Sequence, residues 1–175
     1  MKASQKIIEF IKKYESLHDG DLRAIGLQPK LDGAGIWTEG WGHAMTKNGK
    51  FIKVGDYPTI NMVLPYRKIK TISDANKFLK SDIAKVEKLV LRNLKTRVTQ
   101  NQYDALVSHA YNCGISQTMY QLVNGKATQA KIKKWFTTKY ITAQGIPLKG
   151  LRYRRNDEWE IFAGINYERE YKLSV

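Results

Sequence analysis

Apolar residues recur along this chain at spacings of three and four over most of its length, so the pattern predicts a series of helices broken once by a short strand-rich stretch. Ile7, Ile8, Ile11 and Tyr14 form the first stripe, with Ser4 as N-cap and an end near Leu17. Glu15 lies four residues after Ile11 and projects from the apolar side, while Glu9 pairs with Lys13 on the polar side. Asp32-Gly-Ala-Gly is a turn signal. Ile36-Trp-Thr-Glu-Gly-Trp then alternates large with small or polar residues as a strand does, and Gly40 and Gly42 permit close backbone approach. Residues 44–70 are punctuated by Gly and Pro, with Lys50-Phe-Ile-Lys-Val-Gly55 as a strand and Asp56-Tyr-Pro-Thr as a turn; the segment reads as a cleft-edge loop or a surface insertion, the insertion being preferred.

The remainder is helical. From Ser73 to about Leu91 the stripe is Ala75, Phe78, Leu79, Ile83, Val86, Leu89 and Val90, and Asp82 falls on it. A charge so placed needs a partner, and His43 is expected to form an ion pair with it. Thr99-x-x-Gln102 is a capping box opening a helix that ends at Cys113 and Gly114. Ser116 starts the next helix and Asn124-Gly125 ends it; Thr128 introduces Ile132, Trp135 and Phe136; Gly145 and Pro147 mark a loop; a last helix runs from about Gly150 to Phe162 and stops at Gly164. The fold class expected is α+β, mainly α: one domain over 1–175, with a small β-hairpin lobe (about 1–70, including the first helix) and a larger helical lobe (about 71–175) around a cleft.

Charge narrows the partners. Thirty Lys and Arg against sixteen Asp and Glu give +14, a field that attracts anionic polymers such as bacterial wall or nucleic acid. No zinc finger, basic zipper or aromatic ribonucleoprotein motif is present, so nucleic acid is not the expected partner. The single cysteine, Cys113, excludes an intrachain disulfide, implies a reducing compartment and reads as a buried small hydrophobe. The first residues read as an amphipathic helix with interspersed charges and no apolar run approaches the roughly twenty residues of a membrane span, so neither a secretory leader nor a membrane anchor is expected. No His-x-x-x-His or Cys-x-x-Cys spacing is present, and neither metal nor organic cofactor is expected.

The chemistry concentrates at Glu15 and in the run from Asp32 to His43. Hydrolysis of a sugar acetal needs a carboxylic acid to protonate the leaving oxygen and a carboxylate that orients water or stabilises the oxocarbenium charge. Glu15, partly desolvated and near the negative end of a helix dipole, is expected to have its pKa raised and to act as the acid. Asp32 is the second carboxylate, Thr38 is placed to hold water, and Trp37 or Trp41 to stack on a pyranose face. Each residue also has a plain structural reading: a surface ion pair for Glu15, a turn cap for Asp32, a β-former for Thr38 and a core anchor for each Trp. Arg154 and Arg155 read as partners of Glu158 across one helical turn or as ligands for wall carboxylates, with solvated ion pairing preferred.

Ile-Lys-Lys-Tyr-Glu15, followed by Asp32-x5-Thr38-x-Gly40-x-Gly42-His43, resembles the catalytic region of the phage-type lysozymes, the T4 endolysin-like muramidases of glycoside hydrolase family 24. Asn101-Gln-Tyr-Asp-Ala-Leu, Tyr111-Asn-Cys-Gly114 and Gly150-Leu-Arg-Tyr-Arg154-Arg155-x-x-Glu158-x-x-x-Phe162 resemble that family's second-lobe motifs. The sequence departs from the family in the sixteen residues between Glu15 and Asp32, an expanded stretch that also contains Asp19 and Asp21. The resemblance implies a monomeric muramidase that cleaves peptidoglycan between N-acetylmuramic acid and N-acetylglucosamine with inversion, using Glu15, Asp32 and Thr38. It implies that Tyr111 and Asn112 face the cleft and contact N-acetyl groups or hydroxyls. It also implies residence in the host cytoplasm until a separate membrane lesion releases the protein to the wall. Two other readings fit the same residues: a lytic transglycosylase that replaces water with the muramyl hydroxyl, and a non-catalytic cationic protein that binds wall or nucleic acid.

Overall fold

The computed structural model describes residues 1–15, 27–143 and 145–169. In chain order the elements are helix α1 (Gln5–Glu15), strands β1 (Lys30–Leu31), β2 (Trp37–Glu39), β3 (His43–Ala44), β4 (Thr46–Lys47) and β5 (Lys50–Phe51), then helices α2 (Ile60–Val63) and α3 (Ile72–Asn93). Helices α4 (Gln100–Cys113), α5 (Gln117–Asn124) and α6 (Gln129–Thr138) follow, then strands β6 (Thr142–Ala143) and β7 (Ile146–Pro147) and helix α7 (Lys149–Ala163). The architecture is mainly helical with small antiparallel sheets, as the sequence predicts. The expected end of the first helix at Leu17, and Asp19 and Asp21, lie outside the described residues. No helix among the described residues is long and apolar enough to cross a membrane. The chain divides into two compact units, Lys12–Asp82 and Met1–Ile11 with Ile83–Val175.

In the unit Lys12–Asp82, β1, β2 and β3 form an antiparallel sheet in which Thr38 is opposite Lys30 on one side and Ala44 on the other. Side chains alternate across a strand, so Trp37 and Glu39 are buried while Thr38 points to the other face. Trp37 packs with Met45, Ile52 and Val63, flanked by Tyr57 and Tyr66. Three of those core residues come from the segment expected to be a surface insertion. The 44–70 stretch instead supplies the interior of this unit, and truncating a buried residue such as Ile52 to Ala would cost about 2–5 kcal/mol. The strand expected over 50–55 starts a hairpin, β4 with β5, turned by Asn48 and Gly49, both at positive φ (50° and 77°) as a two-residue turn requires. It then continues as extended chain: Trp37 N–H donates to the Ile52 carbonyl at 2.9 Å, and Lys53 bridges to Ile36.

In the other unit, α4 is buried on every side from Tyr103 to Ala110 and packs against α7, which also packs against α6. Its start is the predicted capping box: Thr99 Oγ1 accepts from Gln102 N, and Gln102 Oε1 accepts from Thr99 N at 2.9 Å. Gly114, Thr128 and Gly164 cap helices where the sequence places them, Gly164 in the left-handed region at φ 77°. His109 is enclosed by Trp135, Phe136 and Tyr140, with ring centroids 5.0, 6.1 and 5.1 Å away. Burial, joined by the charges of Arg155 and Arg154, lowers its pKa from the ordinary 6.5 to about 2. The loop expected at Gly145 and Pro147 is a minimal hairpin, β6 with β7, whose two-residue strands are too short to leave an alternating pattern.

Candidate active site

The acid expected at Glu15 ends α1, half-buried, in the unit that also holds β1 to β3. Its carboxylate rests on Gly42: a β-carbon there would lie 2.8 Å from Glu15 Oε2 and push the carboxyl group aside, and Gly42 sits at φ +82°, a backbone conformation that favours glycine. Gly40 is equally constrained at φ +60°, because a β-carbon would come within 2.7 Å of Ile69 Cδ1. The preceding residue, Glu39, is 2% exposed and accepts hydrogen bonds from the backbone N–H groups of Lys68 (3.0 Å) and Ile69 (2.9 Å). It thus ties the turn between β2 and β3 to the chain beneath it.

Trp41 belongs to the same support. It is 7% exposed, its indole N–H donates to Asn76 Oδ1 at 3.1 Å, and Lys12 Nζ lies 5.6 Å from its ring centroid. That burial leaves little ring face for a sugar, so its structural reading as an anchor describes its position. Trp37 is likewise interior, its indole N–H donating to the Tyr57 carbonyl at 2.8 Å. His43 follows Gly42 and bonds through Nδ1 to Asp82 Oδ2 at 2.6 Å, with its ring 4.6 Å from that of Phe78; this is the pair predicted from the stray charge on the α3 stripe.

Asp32 is exposed at the mouth of the β1–β2 hairpin. Its Oδ1 accepts from the backbone N–H groups of Ala34 and Ile36, both at 2.8 Å, a turn motif that fixes the carboxyl group. Both bonds use one oxygen, which leaves Oδ2 to take a ligand. Thr38 Oγ1 donates to the Lys30 carbonyl at 3.2 Å, so its lone pairs are the part open to a water. Because Asp32 N–H pairs with the Ile36 carbonyl and Thr38 faces Lys30, Asp32 and Thr38 are diagonal neighbours on the sheet. The structure therefore puts Asp32 and Thr38 on one sheet and Glu15 at the turn that closes the sheet's next hairpin.

Tyr111 and Asn112 occupy the last turn of α4 in the other unit, both half-buried. Here the sequence reading missed a network. Arg154 and Arg155, expected as solvated, are both fully buried, as is Glu158. Arg155 Nη2 donates to Glu158 Oε1 (2.9 Å) and to Asn112 Oδ1 (3.0 Å), its Nη1 donates to Cys113 Sγ (2.7 Å), and Ser108 Oγ donates to Glu158 Oε1 (2.8 Å). Cys113 is accordingly half-buried and hydrogen-bonded rather than a simple apolar filler; burial pushes its thiol pKa up, with the Arg155 charge opposing. The signal in the sequence was Ser108, a hydroxyl set among Ala105, Leu106, Val107 and Ala110, which must find a partner once that run is buried.

A family model described as phage lysozyme matches residues 21–158. An endolysin from Acyrthosiphon pisum secondary endosymbiont phage 1 is 32% identical over 169 residues, covering 93% of this chain and 98% of that protein. Among solved structures, the endolysin from Escherichia coli O157:H7 phage FAHEc1 superposes with a TM-score of 0.71 at 28% identity, covering 97% of this chain and 98% of that one. The muramidase domain of SpmX from Asticaccaulis excentricus gives 0.64 at 25% identity over 92% and 97% of the two chains. With a family match across most of its length, a full-length endolysin relative and lysozyme folds as structural neighbours, this chain belongs to the phage lysozyme family and is a lysozyme-type glycoside hydrolase.

Proposed function

We propose that this lysozyme is a muramidase that hydrolyses the β-1,4 bond between N-acetylmuramic acid and N-acetylglucosamine in bacterial peptidoglycan. Glu15 is the general acid that protonates the leaving glycosidic oxygen. The attacking water donates one hydrogen to Thr38 Oγ1, whose own proton is engaged by the Lys30 carbonyl, and the other to Asp32, which acts as base and balances the oxocarbenium charge. Attack from that side inverts the anomeric carbon. Tyr111 and Asn112 contribute substrate contacts, and Trp41 supports the Gly42 seat. The observation that carries this reading is the contact between Glu15 and Gly42, which stations a carboxyl group at the turn of the sheet that bears Asp32 and Thr38.

The protein acts as a monomer on the wall, reached from the host cytoplasm after release, and its charge of +14 favours approach to an anionic polymer rather than a sequence-specific nucleic-acid contact. Digestion of purified peptidoglycan followed by mass analysis of the fragments tests the assignment. Reducing N-acetylmuramic acid ends support hydrolysis, 1,6-anhydro ends indicate the transglycosylase reaction, and wall binding without released ends contradicts catalysis.

A further inference from the structure

The buried network in the second unit does more than fill space. Asn112 Oδ1 accepts from Arg155 Nη2 at 3.0 Å and from Cys113 Sγ at 3.3 Å. Among the described residues, the hydrogen bonds of Asn112 all run through that oxygen. A guanidinium has donors only, so turning the amide over would set N–H against N–H in a low-dielectric site. Arg155 cannot turn away either. It is fully buried, its Nε lies 2.9 Å from Glu158 Oε2 and its Nη2 bonds Glu158 Oε1, while Ser108 and Arg154 hold the same carboxylate at 2.8 and 3.4 Å. Every member sits on α4 or α7, two helices that pack together.

We infer that Arg155 is a positioning residue that locks the Asn112 amide with its nitrogen outward, so that this position accepts a hydrogen-bond acceptor: the carbonyl of a sugar acetamido group. The inference rests on the proposed contact between Asn112 and substrate, and adds the polarity of that contact. An outward NH2 offers two donors and no acceptor, which matches an amide carbonyl and rejects an acetamido N–H. The fork of Arg155 is the essential shape. A lysine at 155 keeps the charge beside Glu158 but, as a point charge on a flexible stem, does not span Glu158, Asn112 and Cys113 together.

The test compares wild type, Asn112→Ala, Arg155→Lys and the double variant on glycan strands that are either N-acetylated or chemically de-N-acetylated. On N-acetylated strands each single variant raises KM about tenfold, the value of one well-made hydrogen bond, with kcat changed less than about threefold. The double variant is no worse than either single, because the two residues act as one unit. On de-N-acetylated strands all four proteins share one KM. An Arg155→Lys enzyme with wild-type KM, or a double variant whose effects multiply to about a hundredfold, overturns the positioning role while leaving the Asn112 contact standing. An unchanged KM for Asn112→Ala removes the contact itself. Should Arg155→Lys fail to fold, the side-chain amide protons of Asn112 in wild type decide: they shift on titration with an N-acetylated disaccharide and not with its de-N-acetylated form. Shifts of equal size with both sugars contradict the inference.

Discussion

His43 Nδ1 and Asp82 Oδ2 are 2.6 Å apart, one on β3 and one on α3, and their bond clamps the residue next to Gly42 to a long helix. Since the carboxylate accepts, Nδ1 carries the proton. Asp82→Asn replaces a charge-assisted hydrogen bond with a neutral one, and Asp82→Ala removes it; the alanine variant is expected to lose about 2 kcal/mol of stability. Denaturant midpoints at constant m-value measure this, and the asparagine variant should fall between the alanine variant and wild type.

Gly42 and Gly49 make a controlled comparison. Both have positive φ, +82° and +77°, but a β-carbon at 42 meets Glu15 Oε2 at 2.8 Å whereas one at 49 meets nothing within 4 Å. Each alanine substitution should cost about 1–2 kcal/mol through the left-handed backbone. Only Gly42→Ala displaces the carboxyl group, and a misplaced catalytic group costs on the order of 100-fold in kcat. Turnover on peptidoglycan, measured beside thermal midpoints, separates the shared stability loss from the unshared loss of rate.

Asp32 has a structural role, capping its own turn, and a proposed catalytic one. Asp32→Asn distinguishes them, because the amide oxygen still accepts from Ala34 and Ile36 while the charge is gone. Stability should change by less than about 0.5 kcal/mol, with activity falling about 100-fold or more. Wild-type turnover in a folded Asp32→Asn protein would reduce this residue to a turn former.

The buried His109 sets a pH dependence. Its pKa is lowered from 6.5 to about 2 in the folded protein, first by burial and then by Arg155 and Arg154, so between those values the unfolded chain holds a proton that the native state does not. Stability therefore falls as pH drops below about 6.5, by roughly 1.4 kcal/mol per pH unit from this group. In His109→Phe the slope of unfolding free energy against pH between 4 and 6 should decrease by about one proton. An unchanged slope would show that the group already binds its proton when folded.

Local chemistry was the part of the fold legible in the sequence. The Thr99 box, Thr128 and Gly164 act within one turn of chain, and Asp82 announced its partner because a lone charge on an apolar stripe needs one. What the sequence hid depends on three-dimensional packing. The spacing of Arg154 and Arg155 to Glu158 is the same on a wetted helix as on a buried one, and only the neighbours of α7 make the cluster internal. Residues 44–70 looked peripheral because Met45, Ile52 and Val63 are spread among turns with no shared period, although the Asn48-Gly49 dipeptide was a readable hairpin signal. At the candidate site, Asp32 and Thr38 were legible as a short-range pair. The seat of Glu15 on Gly42 was not, because the contact spans twenty-six intervening residues, with the expanded stretch among them.

The measurement that bears most directly on the central claim is the rate at which Glu15→Gln releases reducing ends from purified peptidoglycan, with folding verified by circular dichroism. Glutamine keeps the shape against Gly42 but has no proton to give the leaving oxygen. The predicted result is a folded protein whose kcat falls by about 10²–10⁴, the usual range for loss of a general acid, with wall binding retained. A folded Glu15→Gln enzyme that releases reducing ends at the wild-type rate would contradict the account.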